Sequence, residues 1–362
     1  MIFNAAYPQE LTPLPPLLDL NDKEITSLVL EARVQLAELK GYTSSLTNPL
    51  LLLSPAIIKE SIASSEIENI NTTVLNILEN QLFPEDEQSP PDKEVLRYRE
   101  AILWGYRQLE AEPITSKLIQ GIHKRLMPDY RGDYRSTPNA IQNTKTKEII
   151  YTPPVQAQIP SLIGNLENYI NLNFSTNESD VDPLIKAAIS HYQFEAIHPF
   201  GDGNGRTGRI IMVLQLIQER VLFLPTLYIS GYINKNKSEY YRLLLAVTVD
   251  HNWRDYIIFM LNGFYEQAKE TKIFALKIKD LYFELKQELK AKNQKIYSAD
   301  LLDALFTFPI ISPVKLAAEI NVHYGTASRY LVQLEKSGVL KSKWMGKYHF
   351  FMNKKLLTVL HG

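Results

Sequence analysis

The sequence contains no cysteine, which excludes disulfide bonds and thiolate metal sites. It also has no large excess of charge of either sign, because 39 basic and 40 acidic residues give a net charge of −1 over 362 residues. A nearly neutral protein is not drawn to nucleic acid or to a membrane surface by its overall field. Binding to such a partner would therefore require a local patch of charge.

Long hydrophobic runs and targeting signals are lacking as well. The longest apolar region, residues 210–227, is interrupted by polar and charged side chains, so we expect no segment that spans a bilayer. The N-terminus has no basic segment followed by an apolar run, so we expect no signal peptide. Together with the absence of cysteine, these patterns predict a soluble, mainly helical, cytoplasmic protein.

What the chain does contain is the segment HPFGDGNGRTGR at residues 198–209. Three of its glycines allow positive φ, so that successive backbone N–H groups can turn inward and form a cup for phosphate oxygens: Gly201, Gly203 and Gly205. Apolar residues at helical spacing follow, which places this cup at a helix N-terminus, where the helix dipole favours an anion. The segment therefore predicts a loop that binds a polyphosphate.

Four charged or titratable side chains of the segment add specific chemistry. Arg206 and Arg209 are three residues apart and share a helix face, so both guanidinium groups can contact the same phosphates. Asp202 would repel those phosphates unless a cation such as Mg²⁺ lay between them. His198 is then the candidate base, because its unperturbed pKa lies nearest to neutral pH. The alternative is a glycine-rich turn with a solvated histidine and surface arginines.

This segment resembles the HPFx(D/E)GNGRxxR signature of the Fic family at every fixed position. In that family the histidine deprotonates a hydroxyl group of a target protein, which attacks the α-phosphate of ATP and releases pyrophosphate. By position, the resemblance implies His198 as the base, Phe200 as a hydrophobic anchor, Asp202 as the Mg²⁺ ligand, Asn204 as an α-phosphate contact, and Arg206 and Arg209 as β/γ-phosphate contacts. The implied ATP site comprises Glu68, His198, Gly203, Asn204, Gly205, Arg206, Thr207, Gly208, Arg209, Tyr240 and Tyr241. Relatives with inverted chemistry, which use a nucleotide as a phosphate donor, carry Lys at the position of Gly205, so AMP transfer is the better interpretation.

A second motif lies upstream, in a segment that we predict to be helical from residue 55 to about 82. A glutamate in the middle of a helix is usually a solvated surface charge. Ser64, Glu68 and Asn69, however, match the (S/T)xxxE(G/N) motif of Fic proteins with an N-terminal inhibitory helix. The resemblance implies that Glu68 forms a bidentate pair with Arg209, which keeps the γ-phosphate from seating and inhibits the resting enzyme.

Two further regions complete the implied site. Ile149, Ile150 and Tyr151 lie in an alternating stretch that predicts a short β-hairpin. In Fic relatives the equivalent hairpin is a flap that binds the target segment by main-chain pairing. Tyr240 and Tyr241 match a tyrosine pair that relatives place beside the base and ribose, although tyrosines on helices are more often core residues.

The C-terminal part has a local excess of positive charge, since residues 293–362 carry nine basic and four acidic side chains. Three predicted helices followed by a hairpin resemble a winged helix, whose third helix would enter a major groove. These helices span residues 299–306, 313–320 and 323–337. The side chains that could face DNA are Tyr324, Thr326, Ser328 and Arg329. Winged helices also serve as protein-interaction or dimer modules, so a homodimer is an alternative.

The predicted fold is mainly α, with the helical core and small β-hairpin flap of the Fic, or Fido, fold. An N-terminal helical region with the inhibitory helix spans residues 1–90, and the Fic catalytic core spans residues 91–270. A linker helix at residues 271–292 leads to the winged-helix domain at residues 293–362. Length alone allows about two or three domains of this kind.

These patterns predict a protein adenylyltransferase that uses ATP and Mg²⁺ to modify a Ser, Thr or Tyr hydroxyl of a target protein, with modification of itself included. Two alternatives stay open. In the first, the chain is a DNA-binding regulator whose Fic core senses a nucleotide and is held inactive by Glu68. In the second, it removes AMP from a modified protein, and Glu68 helps to orient the attacking water.

Overall fold

The computed structural model describes residues 3–18, 22–44, 48, 50–84, 87–130, 132–143, 146–172, 181–346 and 348–361. Within these ranges the chain is mainly helical, as predicted. The helices are α1 Lys23–Ser44, α2 Leu50–Ile67, α3 Val74–Asn80, α4 Pro90–Gln108, α5 Ser116–Leu126, α6 Ile159–Asn171, α7 Pro183–Ile197, α8 Asn204–Gln218, α9 Ile229–Lys235, α10 Lys237–Asp250, α11 Trp253–Lys292, α12 Ala299–Thr307, α13 Pro313–Glu319, α14 Tyr324–Lys336 and α15 Lys354–His361.

Two small antiparallel sheets lie among the helices. The predicted hairpin is present as β1 Ile141–Gln142 and β2 Ile149–Tyr151. In the C-terminal part, β4 Lys341–Met345 and β5 Tyr348–Met352 form a hairpin. A short strand that the sequence did not predict, β3 Ile310–Ile311, pairs with the outer side of β5. The helices α12, α13 and α14 and the hairpin β4–β5 are the elements expected for this part, whose assignment as a winged helix stays a prediction, and α15 follows them as an unpredicted addition.

The segment around Glu68 differs from its prediction. We expected one helix from residue 55 to about 82, but α2 ends at Ile67 and α3 begins at Val74. Asn69 adopts a left-handed conformation with φ of 64°, and the backbone N–H of Ile70 bonds back to the carbonyl of Ser65 at 3.0 Å. This is how a helix ends at a residue that tolerates positive φ. Glu68 therefore lies just beyond a helix C-terminus and not in mid-helix.

The junction between α7 and α8 is built from local signals that the sequence displays. The Asp182 side chain caps α7 by accepting from the backbone N–H of Leu184 at 2.8 Å, and a proline follows in the first turn. The helix ends at His198, whose φ is 48°, and α8 begins after Gly203, whose φ is 74°. These two turns bring the end of α7 and the beginning of α8 to the same place.

The longest helix, α11, is continuous across the boundary that we expected between residues 270 and 271. Its first half packs in a core around α7 and α8, and its second half packs in another core with the C-terminal elements. Ile58 and Ile62 of α2 and Leu78 of α3 belong to this second core. The N-terminal helices and the C-terminal module are thus packed together, and the four-part division stays a prediction. In the described ranges, no helix is both long enough and apolar enough to cross a membrane.

Candidate active site

A cavity of about 830 Å³ lies between the end of α2, the α7–α8 junction, the hairpin and α10. Its volume is within the range of sites for small molecules and cofactors. The predicted residues that line it are Glu68, Asn69, Ile150, Tyr151, His198, Gly205, Arg209, Tyr240 and Tyr241. The structure thereby brings together residues from four separate segments. The other predicted residues do not line the cavity: Ser64, Ile149, Asp202, Gly203, Asn204, Arg206, Thr207 and Gly208.

His198 is held as a neutral imidazole. Its Nδ1 lies 3.3 Å from the carbonyl oxygen of Glu195, and because a carbonyl can only accept, Nδ1 carries the proton and Nε2 keeps its lone pair. Arg135 fixes the backbone at this point by donating from Nε to the carbonyl of His198 at 2.9 Å. Burial lowers the pKa of His198 to about 4, so the ring is uncharged at neutral pH.

The loop between the two helices is closed by Asn204. Its side chain accepts from the backbone N–H of Phe200 and donates to the carbonyl of Phe200, both at 2.9 Å. The Phe200 ring is fully buried and stacks on His123, with 3.7 Å between the ring centres. Because both ends of the Asn204 amide are engaged, a phosphate contact from this residue would have to come from its backbone N–H.

The glycines of the loop serve two different purposes, and only one is the predicted one. Of the three glycines expected to allow positive φ, Gly203 alone has it, at 74°. Gly205 is needed for space, because a Cβ there would lie 2.4 Å from Oε1 of Glu68. The first backbone N–H groups of α8 have no intrahelical acceptor, and no side chain caps them. They can therefore donate to an anion, as the cup requires.

Thr207 and Gly208 contribute to packing in the first turns of α8. The Thr207 hydroxyl is buried and donates to the carbonyl of Gly203 at 2.8 Å. Gly208 allows α7 to approach closely, because a Cβ there would lie 2.4 Å from Oε1 of Glu195. Neither residue presents a side chain to the cavity.

Arg209 is bound to the end of α2. It donates from Nε to the hydroxyl of Ser64 and from Nη2 to the carbonyl of Ser64, each at 2.8 Å. Nη2 also lies 3.0 Å from Oε1 of Glu68. The expected bidentate pair between Glu68 and Arg209 is therefore wrong. Ser64 accepts two hydrogen bonds from the guanidinium group, and Glu68 makes a single contact with it.

Arg206 does not share the surroundings of Arg209, and the prediction that both contact the same phosphates stays a prediction. Its Nη1 lies 2.6 Å from Oε2 of Glu94 on α4, and its Nη2 lies 3.4 Å from Sδ of Met127. The reason is that α8 is buried on nearly every side. Arg206 and Arg209 point in somewhat different directions around the axis of α8, and each therefore contacts a different neighbouring element.

Asp202 is the candidate Mg²⁺ ligand, and its side chain is 58% exposed. One oxygen accepts from the backbone N–H of Gly203 at 2.6 Å. Among the described residues, no three or more His, Asp or Glu side chains group into a metal site. A single exposed carboxylate nevertheless fits Mg²⁺, which keeps several waters and is shared with the phosphates of a substrate. Asp202 is suited to that arrangement and not to a closed protein site.

The hairpin is anchored to the site by Tyr151, which is buried and donates its hydroxyl to the carbonyl of Ala196 at 2.7 Å. Ile149 and Ile150 are each 38% exposed. The main chain of β2, and the two isoleucines on it, are therefore the parts of the hairpin that another chain can reach.

The two tyrosines of α10 differ in their surroundings. Tyr240 is buried, and its hydroxyl lies 2.7 Å from Nε2 of His191. Tyr241 is 45% exposed. Both line the cavity, and their ring centres lie 5.3 Å apart, so a planar ligand group can lie against the exposed ring of Tyr241.

The sequence reasoning missed several residues of the site. Glu195 lines the cavity, and burial raises its pKa to about 8. Tyr192 and Thr248 also line it, with 2.9 Å between their hydroxyl oxygens. Their helical positions offered a signal, since Glu195 lies one turn before His198. Glu94, which pairs with Arg206, offered none, because it belongs to a distant helix.

Comparison with known proteins agrees with this geometry. Residues 113–216 match the Fic/DOC family, and residues 26–107 match the Fic/DOC family N-terminal region. This chain belongs to the Fic/DOC family. The C-terminal part of this Fic protein, residues 281–356, matches the family described as protein adenylyltransferase SoFic-like, C-terminal domain.

Relatives of this Fic protein include a probable protein adenylyltransferase of Aquifex aeolicus, 32% identical over 117 residues, which are 32% of this chain and 33% of that protein. The protein adenylyltransferase Fic of Drosophila grimshawi is 30% identical over 135 residues, 36% of this chain and 25% of that protein. The matched part is thus about a third or less of these relatives.

Solved structures show the same fold. A Fic family protein from Desulfovibrio desulfuricans has a TM-score of 0.59 at 20% identity, over 94% of this chain and 98% of that chain. Fic-1 from C. elegans has a TM-score of 0.51 at 18% identity, over 70% of this chain and 74% of that chain. At these identities the likeness is one of fold.

Proposed function

We propose that this Fic protein transfers AMP from ATP to a Ser, Thr or Tyr hydroxyl of a protein. The observation that carries the proposal is the position of His198. Its ring lines the same cavity as Arg209 and the first turn of α8, and its tautomer leaves Nε2 free to accept a proton. The names of the relatives, which are protein adenylyltransferases, agree with this activity.

In the proposed reaction, Nε2 of His198 takes the proton of the target hydroxyl as its oxygen attacks the α-phosphorus of ATP. A bond forms between that oxygen and the α-phosphorus, and the bond to the bridging oxygen of pyrophosphate breaks. The N–H groups at the start of α8 and the guanidinium of Arg209 hold the phosphates. Mg²⁺, held by Asp202 and the phosphates, would neutralise charge. The main chain of β2 holds the target segment by strand pairing.

The same contacts support inhibition by Glu68. Arg209 is engaged by Ser64 and Glu68, and an arginine held in this way is not available to a γ-phosphate. Asn69 supports the arrangement, because its positive φ turns the chain just after Glu68. The proposal is therefore an enzyme whose resting form binds nucleotide unproductively until Glu68 withdraws.

The test uses ATP labelled at the α-phosphate, with the full chain and a cell lysate. The Glu68→Gly protein should label bands that wild type labels weakly, and adding His198→Ala should abolish that labelling while ATP still binds. Glu66→Gln is the matched control, because Glu66 bonds to Asn234 outside the cavity and should leave labelling at the wild-type level. Full labelling by the protein that lacks His198 would show that His198 is not the base.

Removal of AMP is a second candidate, because Glu68 lines the same cavity as His198 and could orient water there. Incubating an AMP-modified protein with wild type and with Glu68→Gly separates the two. Loss of label with wild type alone would favour removal, and gain of label with Glu68→Gly would favour addition.

DNA binding by the C-terminal module stays a prediction. Tyr324 and Arg329 on α14 are exposed, which supports it. The hairpin β4–β5, however, packs on the N-terminal region, since the ring of Tyr348 lies 5.1 Å from that of Phe83 and Lys343 pairs with Glu79 at 2.8 Å. A homodimer and a cytoplasmic location likewise stay predictions. Gel shifts of the full chain across a range of salt concentrations test the DNA prediction.

A further inference from the structure

Glu195 is a carboxyl group that the proposed reaction does not use, although it lies in the nucleotide cavity. Every other residue of α7 is buried, and Glu195 alone retains exposure, on the side that lines the cavity. Its Oε1 is buried without a hydrogen-bond partner. The same atom lies against the backbone of α8 at Gly208, where a Cβ would come within 2.4 Å of it.

A negatively charged carboxylate at this position would oppose the binding of a triphosphate. Glu68 lies just beyond a helix end and can withdraw when the nucleotide enters. Glu195 cannot withdraw in the same way, because α7 is packed into the core along its whole length. The cavity can therefore accept an anion only if Glu195 carries no charge or donates a proton toward it.

We propose that Glu195 binds the nucleotide as a neutral carboxylic acid, which donates a hydrogen bond to a phosphate oxygen beside Arg209. The proposal rests on the proposed function in one respect, namely that this cavity holds nucleotide phosphates. In this role Glu195 complements the guanidinium of Arg209, because an O–H donor adds a contact to the phosphate without adding charge to the cavity.

The surrounding groups keep Glu195 neutral near physiological pH. The pKa of Glu195 is raised to about 8, chiefly by burial, while the charge of Arg209 on α8 lowers it and the charge of Glu68 raises it. The other titratable groups around Glu195 change their charge at other pH values. Burial lowers the pKa of His191 to about 3 and that of His198 to about 4. Burial also raises the pKa values of the surrounding tyrosines, which are Tyr192, Tyr240, Tyr241 and Tyr256. Lys237 also lines the cavity, as a positive charge on α10.

The experiment measures the affinity of the full chain for MgATP by calorimetry at several pH values. In the Glu68→Gly protein, which lacks the negative charge of Glu68 that helps to raise the pKa of Glu195, we expect the affinity to fall severalfold as the pH rises from 6 to 9, because the Glu195 carboxyl group loses its proton over that interval. Adding Glu195→Gln should make the affinity constant over the same interval, since the amide keeps the shape and an N–H donor and cannot ionise. Adding Glu66→Gln instead should leave the fall in place.

Two outcomes overturn the proposal: an affinity of the Glu68→Gly protein that is constant from pH 6 to pH 9, and a fall that persists after Glu195→Gln. The first needs no substitution at Glu195, so a failure of that variant to fold would not protect the proposal. A pH-dependent affinity without any AMP transfer by the Glu68→Gly protein would instead overturn the proposed function and leave the role of Glu195 intact.

Discussion

At the scale of single residues, burial shifts the pKa values of two neighbouring groups in opposite directions. Burial disfavours the charged form of any group, so it lowers the pKa of the His198 imidazole to about 4 and raises the pKa of the Glu195 carboxyl to about 8. The two residues lie one helical turn apart, and Nδ1 of His198 donates to the backbone carbonyl of Glu195. At neutral pH both are uncharged, one as a proton acceptor and the other as a proton donor.

The His198 ring should therefore stay uncharged at pH values well below the usual pKa range of histidine. A group whose folded-state pKa is depressed in this way gains its proton only near pH 4, so the ring should not titrate between pH 8 and pH 5. Imidazole C–H signals followed by NMR would show this, with His198→Gln identifying the signal among the seven histidines. A midpoint near pH 6.5 would contradict the prediction.

Asn69 should tolerate glycine and not a β-branched residue. Its φ of 64° is strained for most side chains, so we expect Asn69→Val to lower the free energy of unfolding by about 1–2 kcal/mol. Asn69→Gly should have little effect, because glycine adopts this conformation freely. Urea unfolding of the two variants provides the comparison, and equal midpoints would count against a left-handed residue here.

At the scale of elements, α8 is held by the two N-terminal helices that flank it. Its two motif arginines are engaged by different helices, since Glu94 of α4 pairs with Arg206 while Ser64 and Glu68 at the end of α2 engage Arg209. Both guanidinium groups are almost completely buried. A buried guanidinium needs its partners, so these contacts fix the register of α8 against the N-terminal region.

Removal of the Glu94 carboxylate should therefore destabilise the fold. Glu94→Gln leaves the buried guanidinium of Arg206 with the more distant Asp202, 3.9 Å away, as its charged partner, and because Glu94 is 32% exposed we expect a loss of about 1–3 kcal/mol. Glu100→Gln on the same helix is the control, since Glu100 is exposed and should change the unfolding free energy by less than about 0.5 kcal/mol. Equal effects of the two substitutions in urea unfolding would refute the structural role of the pair.

At the scale of the whole molecule, the C-terminal module and α2 share a hydrophobic core. Ile58 and Ile62 of α2 pack in the same cluster as Leu302 of α12 and the second half of α11. The segment that carries Glu68 is thus joined to elements more than 200 residues away in the sequence. Its stability depends on the C-terminal module as well as on its immediate neighbours.

A substitution that creates a cavity in α12 should consequently destabilise α2. Leu302 is fully buried, and we expect Leu302→Ala to cost about 2–5 kcal/mol and to raise amide exchange in residues 54–67 together with residues 299–307. Leu166→Ala on α6, which belongs to the other core, is the matched control and should leave residues 299–307 unchanged. Unchanged exchange in α2 after Leu302→Ala would show that the module is packed independently.

The chemistry of the loop was readable from the sequence because its residues are contiguous. Helical spacing, the proline after Asp182 and the residues from His198 to Arg209 predicted α7 and α8, and the structure contains both, with His198 between them. The end of α2 was predicted too late in the chain, since hydrophobic periodicity continues across the turn at Asn69.

The sequence by itself determined which groups can do chemistry here, because their identity and close spacing do not depend on packing. The tertiary structure alone decided which of them face the cavity. Arg206 turns to Glu94, 112 residues away, and Glu195 becomes a neutral acid. Both outcomes depend on burial against elements distant in the chain, which local spacing cannot encode.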